Sequence, residues 1–316
     1  MPYSTQLRDR LDRDEILVCP GSHDPLTARV IDEVGFDAIY MTGYGTSLSR
    51  TGYPDAGLIT MTEMVRNARH IQETIDVPLI ADADNGFGNA VNTIRTVREY
   101  IQAGLGGIQL EDQTFPKRCG HVEGRQVIEK EAAVGKIEAA ASVRDERDED
   151  LVIVARTDAL GAVDGSVDEA IDRANAFLDA GADVAFVEGP TTTEEVERVG
   201  TGVDGPLLYN CTGISPLMDA AALEAAGFDI LLYPGVCTRT AIISMYEAAV
   251  DMKERGTDAV GEVYREMDEL PIGGLHEFSG FPEVVEWEES YLPAHEQAKY
   301  EDSLGASISD TDAESQ

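Results

Sequence analysis

The chain has 316 residues, with 24 Lys or Arg against 60 Asp or Glu, a formal net charge of −36. A field of that sign repels nucleic acid and anionic membranes, so neither is an expected partner; it also opposes an anionic substrate unless a local cation intervenes. Hydrophobic residues make up 43%, ordinary for a globular protein, and the length suits two small domains or one large α/β barrel.

The first fifteen residues, "MPYSTQLRDRLDRDE", are polar and charged, so no signal peptide is expected. No stretch approaches the ~20 apolar residues of a membrane span, and a soluble cytoplasmic protein is expected. Eight short apolar runs follow: "ILVCPG" (16–21), "DAIYMTG" (37–43), "PLIADAD" (78–84), "GGIQLED" (106–112), "LVIVART" (151–157), "ADVAFVEG" (182–189), "PLLYNCTG" (206–213) and "DILLYPG" (229–235). Each precedes a helix-like segment, such as "TMTEMVRNARHIQETI" (60–75) or "SVDEAIDRANAFLDAG" (166–181). Gly35, Gly104, Gly181 and Gly227 stand where left-handed helix stops are expected. Continuously apolar strands alternating with helices predict a parallel sheet covered on both faces, and eight units predict a (β/α)8 TIM barrel.

After the eighth helical segment, "RTAIISMYEAAVDMKERG" (239–256), comes a helical extension including 283–301. One barrel domain with C-terminal helices is expected over 1–302, and the acidic tail 303–316 is expected to be disordered. Acids spread along the whole chain, with few lysines, suit a halophilic protein whose self-repulsion is screened by salt. Cys19, Cys119, Cys211 and Cys237 are far apart and form no CxxC pair, so no disulfide scaffold is expected.

Polar groups recur at the C-terminal strand ends, where barrels of this kind place their active sites. They are Thr42 and Gly43, Asp82 and Asp84, Glu111 and Asp112, Arg156 and Asp158, Glu188, and Asn210 and Thr212. Asp82 and Asp84 at i and i+2 are expected on one face of a strand, where two carboxylates repel unless a cation lies between them. Oxygen ligands without a histidine cluster suit Mg2+, or Mn2+, better than Zn2+, with Asp55 and Glu111 adding contacts through water. Arg156 has the fork that takes a carboxylate with two bonds; its bland alternative is an ion pair with Glu188 or Asp158 that braces the mouth. Asn210 and Thr212 are uncharged donors for a second carboxylate. Tyr40 and Tyr44 flank Thr42-Gly43, whose amides suit an oxyanion.

The stretches "GYPDAGLITMTEM", "ADADNGFGN", "LEDQTFPKRCGH" and "VARTDA", in that order, resemble the isocitrate lyase/phosphoenolpyruvate mutase superfamily over roughly residues 10–290. The short chain looks most like the 2-methylisocitrate lyase branch. The resemblance implies a barrel whose eighth helix is often swapped between subunits of a homodimer or homotetramer. It implies Mg2+ on Asp82 and Asp84, with Asp55 and Glu111 acting through water. A small carboxylate, an α-oxo acid such as pyruvate or glyoxylate, would lie at Thr42, Gly43, Tyr44 and Arg156, with Glu188, Asn210, Thr212 and Arg239 lining the rest. Cys119, Gly120 and His121 would lie on a closing loop, with Cys119 as general acid, Lys117, Arg118 and His121 lowering its pKa, and Tyr40 assisting at the hydroxyl.

The implied reaction is cleavage of a 2-hydroxy di- or tricarboxylate, such as 2-methylisocitrate to pyruvate and succinate. Two departures keep alternatives open. The strand-seven end reads "NCTG" (210–213), where 2-methylisocitrate lyases carry "NITE". The region 265–283 has no counterpart of their distal-carboxylate arginine. Oxaloacetate decarboxylation or hydrolysis, and phosphonate chemistry, compete on the same site.

Overall fold

A computed structural model of the chain describes residues 1–120, 122–147, 150–297 and 299. Two compact units divide it, Met1–Thr240 and Ala241–Gln316.

The first unit begins with α1 (Tyr3–Leu11) and continues β1 (Leu17–Ser22), α2 (Pro25–Val34), β2 (Ile39–Met41), α3 (Gly43–Thr51), α4 (Met61–Gln72), β3 (Leu79–Asp82) and α5 (Ala90–Gln102). Then come β4 (Gly107–Glu111), α6 (Lys130–Arg147), β5 (Val152–Thr157), α7 (Val167–Asp179), β6 (Val184–Val187), α8 (Thr193–Gly202), β7 (Leu207–Asn210), α9 (Ala220–Ala225) and β8 (Ile230–Tyr233). The strands pair in parallel in chain order, and β8 closes on β1 through Leu17↔Ile230 to Pro20↔Tyr233. This is the expected (β/α)8 barrel.

Alternation along each strand explains the continuous apolar runs. Cys19, Tyr40, Ile80, Val154, Phe186, Leu208 and Leu232 belong to one buried cluster. Their strand neighbours Ile39, Met41, Leu79, Ala81 and Ile153 belong to another, with the helix residues Met64, Ala68, Ile71 and Val97. Both faces of the sheet are thus dry, and β-branched and aliphatic side chains fill them.

Local chemistry sets the helix ends. Asp24 accepts the Thr27 amide at 2.8 Å ahead of Pro25, while Thr60 with Glu63 and Asn89 with Asn92 form capping boxes. The four predicted glycine stops all have positive φ, from 77° at Gly104 to 103° at Gly181.

Register places the polar strand ends side by side. Asp82 pairs with Gln109, Glu111 with Arg156, and Arg156 with Phe186. Helix α10 (Val236–Arg255) follows β8; none of its residues is buried, and Ile242, Ile243, Met245, Tyr246 and Met252 are exposed.

The second unit carries α11 (Thr257–Asp268), α12 (Leu275–Phe278), α13 (Phe281–Tyr291) and α14 (Ala294–Gln297), helical over most of the described part of 283–301. The tail 303–316 lies outside the described residues. Among the described residues, no helix is long and apolar enough to cross a membrane.

Candidate active site

β3 ends at Asp82, and Asp84 lies beyond it with φ 47°. The two carboxylates therefore do not share a strand face, contrary to the expectation from their i, i+2 spacing; a turn outside the ladder brings them together. The Asp84 amide donates to Asp82 Oδ1 at 2.9 Å, and Gln109 Nε2 donates to the same oxygen at 3.3 Å. The Gly43 amide donates to Asp82 Oδ2 at 3.2 Å, and a Cβ at Gly43 would stand 2.4 Å from that oxygen, so only glycine fits. The Tyr40 hydroxyl donates to Gln109 Oε1. Asp82 is thus held directly from α3 and β4, and from β2 through Gln109.

Lys117 takes a different place from the one its sequence neighbours suggest. It is 4% exposed, and its ammonium stands 2.6 Å from Asp55 Oδ1 and 2.5 Å from Asp84 Oδ1. Burial lowers its pKa, but Asp84, Asp55, Glu111 and Asp82 outweigh that and hold it well above the ordinary lysine value. Burial raises Asp82, and pushes Asp84 up to about 7 against the pull of Lys117. Glu111 is likewise held well above the carboxylate range by burial. Its Oε1 accepts no hydrogen bond among the described residues, and its Oε2 stands 3.7 Å from Arg156 Nε.

Arg156 is ringed by acids. Its Nε and Nη2 donate to the two oxygens of Asp158 at 3.0 and 2.9 Å, and Nη1 lies 3.2 Å from Glu188 Oε2. The guanidinium sits 5.1 Å from the Phe186 ring centroid. Asn210 Nδ2 donates to Glu188 Oε2 at 2.9 Å. Asp158 is fixed in turn by Asp112, which accepts its amide at 2.9 Å and the Thr157 hydroxyl at 2.7 Å. A Cβ on Gly120 would lie 2.1 Å from Arg156 Nη2 and 2.8 Å from Glu188 Cγ. The loop that carries Cys119 therefore lies directly on the Arg156–Glu188 pair, and only a residue without a side chain allows it.

That loop is pinned by Gln113, whose Nε2 donates to the Arg118 carbonyl at 2.9 Å while its Oε1 accepts the Arg118 amide at 3.0 Å. The Cys119 amide donates to the Asp55 carbonyl at 3.2 Å, and Cys119 is half-buried with a free thiol. Arg118 turns its guanidinium to the Glu123 carbonyl. His121 lies outside the described residues.

Thr42 caps α3 by accepting the Gly45 amide at 3.4 Å, and Tyr44 is exposed on its first turn. Thr212 accepts the Ile214 amide at 3.4 Å. Arg239 is exposed on α10, with its guanidinium against Gly235.

Sequence reasoning passed over Gln109, Gln113 and Lys136. Lys136 interrupts the buried face that Ala133, Ile137 and Ala140 form on α6, and its ammonium donates to the Asn85 carbonyl and, at 3.4 Å, to the Glu111 carbonyl. Burial pushes its pKa down to about 8. A single lysine in "AAVGKIEAAA" was the available signal.

Among the described residues, no three His, Cys, Asp or Glu side chains gather tightly enough to hold a metal by themselves. Mg2+ does not require that, because it keeps several waters and takes one or two protein carboxylates. Asp55, Asp82, Asp84 and Glu111 are buried around the ammonium of Lys117 and one edge of Arg156. The unsatisfied Glu111 Oε1 and the all-oxygen donor set fit a hard divalent cation.

The family model for phosphoenolpyruvate phosphomutase matches residues 7–253. The chain belongs to the phosphoenolpyruvate mutase/isocitrate lyase superfamily. Superfamily relatives of this chain include a 2,3-dimethylmalate lyase of Eubacterium barkeri, 47% identical over 82% of this chain and 89% of the relative. A probable 2-methylisocitrate lyase of Corynebacterium glutamicum is 39% identical over 88% of this chain and 91% of its own. This superfamily member is an enzyme of the same carbon–carbon lyase kind.

Solved superfamily structures agree. A 2,3-dimethylmalate lyase superposes with a TM-score of 0.86 at 33% identity, covering 97% of this chain and 99% of that one. An oxaloacetate acetylhydrolase with 3,3-difluorooxalacetate gives 0.83 at 35%, covering 92% and 97%. A phosphonopyruvate hydrolase in complex with oxalate and Mg2+ gives 0.82 at 30%, covering 93% and 100%.

Proposed function

We propose that this chain is a Mg2+-dependent lyase, with Mn2+ as a substitute, that splits an alkyl-substituted 2-hydroxy dicarboxylate of the 2,3-dimethylmalate type. The products are an α-oxo acid and a simple carboxylic acid. One juxtaposition carries the reading: the loop bearing Cys119 is bonded through its own amide to Asp55, which shares the ammonium of Lys117 with Asp84.

Asp84 and Asp82 would hold the cation, with Asp55 and Glu111 beside it through water, and it would supply Lewis-acid polarisation of the substrate hydroxyl and neighbouring carboxylate. The chain's own groups do the rest. The first turn of α3, from Thr42 through Gly43 to Tyr44, receives the oxo-acid carboxylate at the positive end of a helix. Arg156 faces the same group, oriented by its two bonds to Asp158. The hydroxyl proton leaves to the carboxylates around Lys117, C2=O forms as the C2–C3 bond breaks, and the electron pair stays on C3. Cys119 Sγ delivers its proton to that carbon, and the thiolate is reprotonated from water. Gly120, seated on Arg156 and Glu188, keeps the loop closed against bulk water. Tyr40 acts through Gln109 on Asp82 and holds its own proton firmly, because burial keeps its pKa well above the phenol range.

The substrate class rests on the strand-seven side of the mouth. The sequence has no Lys or Arg from Val199 to Thr238. The segment after β7 offers the exposed Ile214 and Leu217 beside Pro216, folded back by the Tyr209 hydroxyl on the Pro216 carbonyl at 2.7 Å. A third carboxylate there would lose water with only the exposed Arg239 as a cation at the edge, whereas a methyl group would gain contact. Asn210, Thr212 and Arg239 complete that side. The protein works as a homodimer or homotetramer, and the exposed apolar residues of α10 support a subunit contact.

A panel of 2,3-dimethylmalate, 2-methylisocitrate, isocitrate, oxaloacetate and phosphonopyruvate, assayed with Mg2+ in concentrated KCl, tests the reading. The highest kcat/KM is expected for 2,3-dimethylmalate. Preference for a tricarboxylate would overturn the substrate class, and preference for phosphonopyruvate would overturn the chemistry.

A further inference from the structure

Asp84 occupies a left-handed backbone conformation that side-chain-bearing residues seldom adopt, with φ 47°. Something must hold it. The Glu111 amide donates to the Asp84 carbonyl at 2.9 Å, joining the turn after β3 to the end of β4. The ammonium of Lys136 then reaches the carbonyls of both Asn85 and Glu111 from α6. Lys136 is 3% exposed and is the one charged residue on the buried face of its helix, beside Ala133, Ile137, Ala140, Ala141 and Val143. A buried ammonium at an apolar helix face is costly unless its donors are placed, and here they land on main-chain carbonyls rather than on a carboxylate.

We propose that Lys136 is a positioning residue: its ammonium staples the Asp84–Asn85 turn to the end of β4, and so fixes the distance and aim of the Asp84 and Glu111 carboxylates. The staple acts on backbone, so it needs no charge partner in the site and leaves both carboxylates available. Its consequence for the metal rests on the function proposed above; its consequence for the backbone does not.

The test is Lys136→Met in the full chain, which keeps length and apolar stem while removing the donors. Lys136→Gln keeps an N–H donor, and carries the test should the methionine variant fail to fold. Lys130→Met is the control, since Lys130 lies on the same helix and pairs at the surface with Asp172 at 2.6 Å. Amide hydrogen exchange is followed in peptides covering 83–88 and 107–113, with 183–189 as reference. Loss of the staple is expected to accelerate exchange in the first two peptides by roughly ten-fold or more and leave the third unchanged, with Lys136→Gln intermediate. The Mg2+ concentration for half-maximal cleavage is expected to rise about 10–100-fold, as for loss of an outer-shell support. Unchanged exchange in both peptides, or acceleration spread evenly over all three, would overturn the staple. Faster exchange with an unchanged Mg2+ requirement would leave the staple standing and overturn the metal role of Asp84.

Discussion

The backbone amide of Cys119 donates to the carbonyl of Asp55 across 3.2 Å. Asp55 in turn meets Lys117 through its carboxylate, two residues before the thiol in the chain. The Cys119 backbone and the Asp55–Lys117 pair are therefore held together.

Cys119→Ser keeps the backbone bond to Asp55 and replaces a thiol by a hydroxyl that gives up its proton far less readily. General acid catalysis contributes about 10²–10⁴-fold, and kcat should fall within that range while the melting temperature stays put. Steady-state kinetics with calorimetry on both proteins checks it.

Lys117→Met removes the ammonium between Asp55 and Asp84, leaving buried carboxylates without their cation. Breaking such a pair from one side costs about 3–5 kcal/mol. Urea unfolding should show that loss without added metal, and saturating Mg2+ should restore part of it. An unfolding midpoint equal to the wild type would refute the pairing.

Gln113→Leu removes both bonds to Arg118 and frees the loop from its anchor. Two neutral hydrogen bonds contribute roughly 1–3 kcal/mol together, so stability changes modestly. The larger effect should appear in kcat/KM, because an unpinned loop must be ordered each time substrate binds. Stopped-flow measurement of turnover against substrate concentration separates the two effects.

The surplus of acids is expected to make the fold sensitive to ionic strength. The screening length is about 10 Å at 0.1 M salt and about 3 Å at 1 M. The melting temperature should rise steadily between 0.1 and 2 M KCl. A flat or falling profile would show that self-repulsion does not limit this fold.

The barrel was legible because each strand is buried on both faces, which leaves continuous runs such as "LVIVART", and because the helix stops carry glycine. The acids were legible because they cluster at strand ends. Their geometry was not. Asp84 leaves the ladder by adopting positive φ, which an i, i+2 count cannot register. Lys117 is expected from its neighbours to act on Cys119, and its buried place follows from Asp55, a residue 62 positions earlier in the sequence. Lys136 and Gln113 act through main-chain carbonyls and amides, whose positions exist only once the fold is closed.

The proposed reaction is metal-dependent carbon–carbon cleavage with proton delivery to the departing carbon. It is tested most directly by incubating the protein with 2,3-dimethylmalate and Mg2+ in concentrated KCl made up in D2O, and following products by NMR. Equal amounts of pyruvate and propionate are expected, the propionate carrying one deuterium at C2, and chelation of the metal should stop their formation. Failure to release an oxo acid, or release that continues at the same rate after chelation, would contradict it.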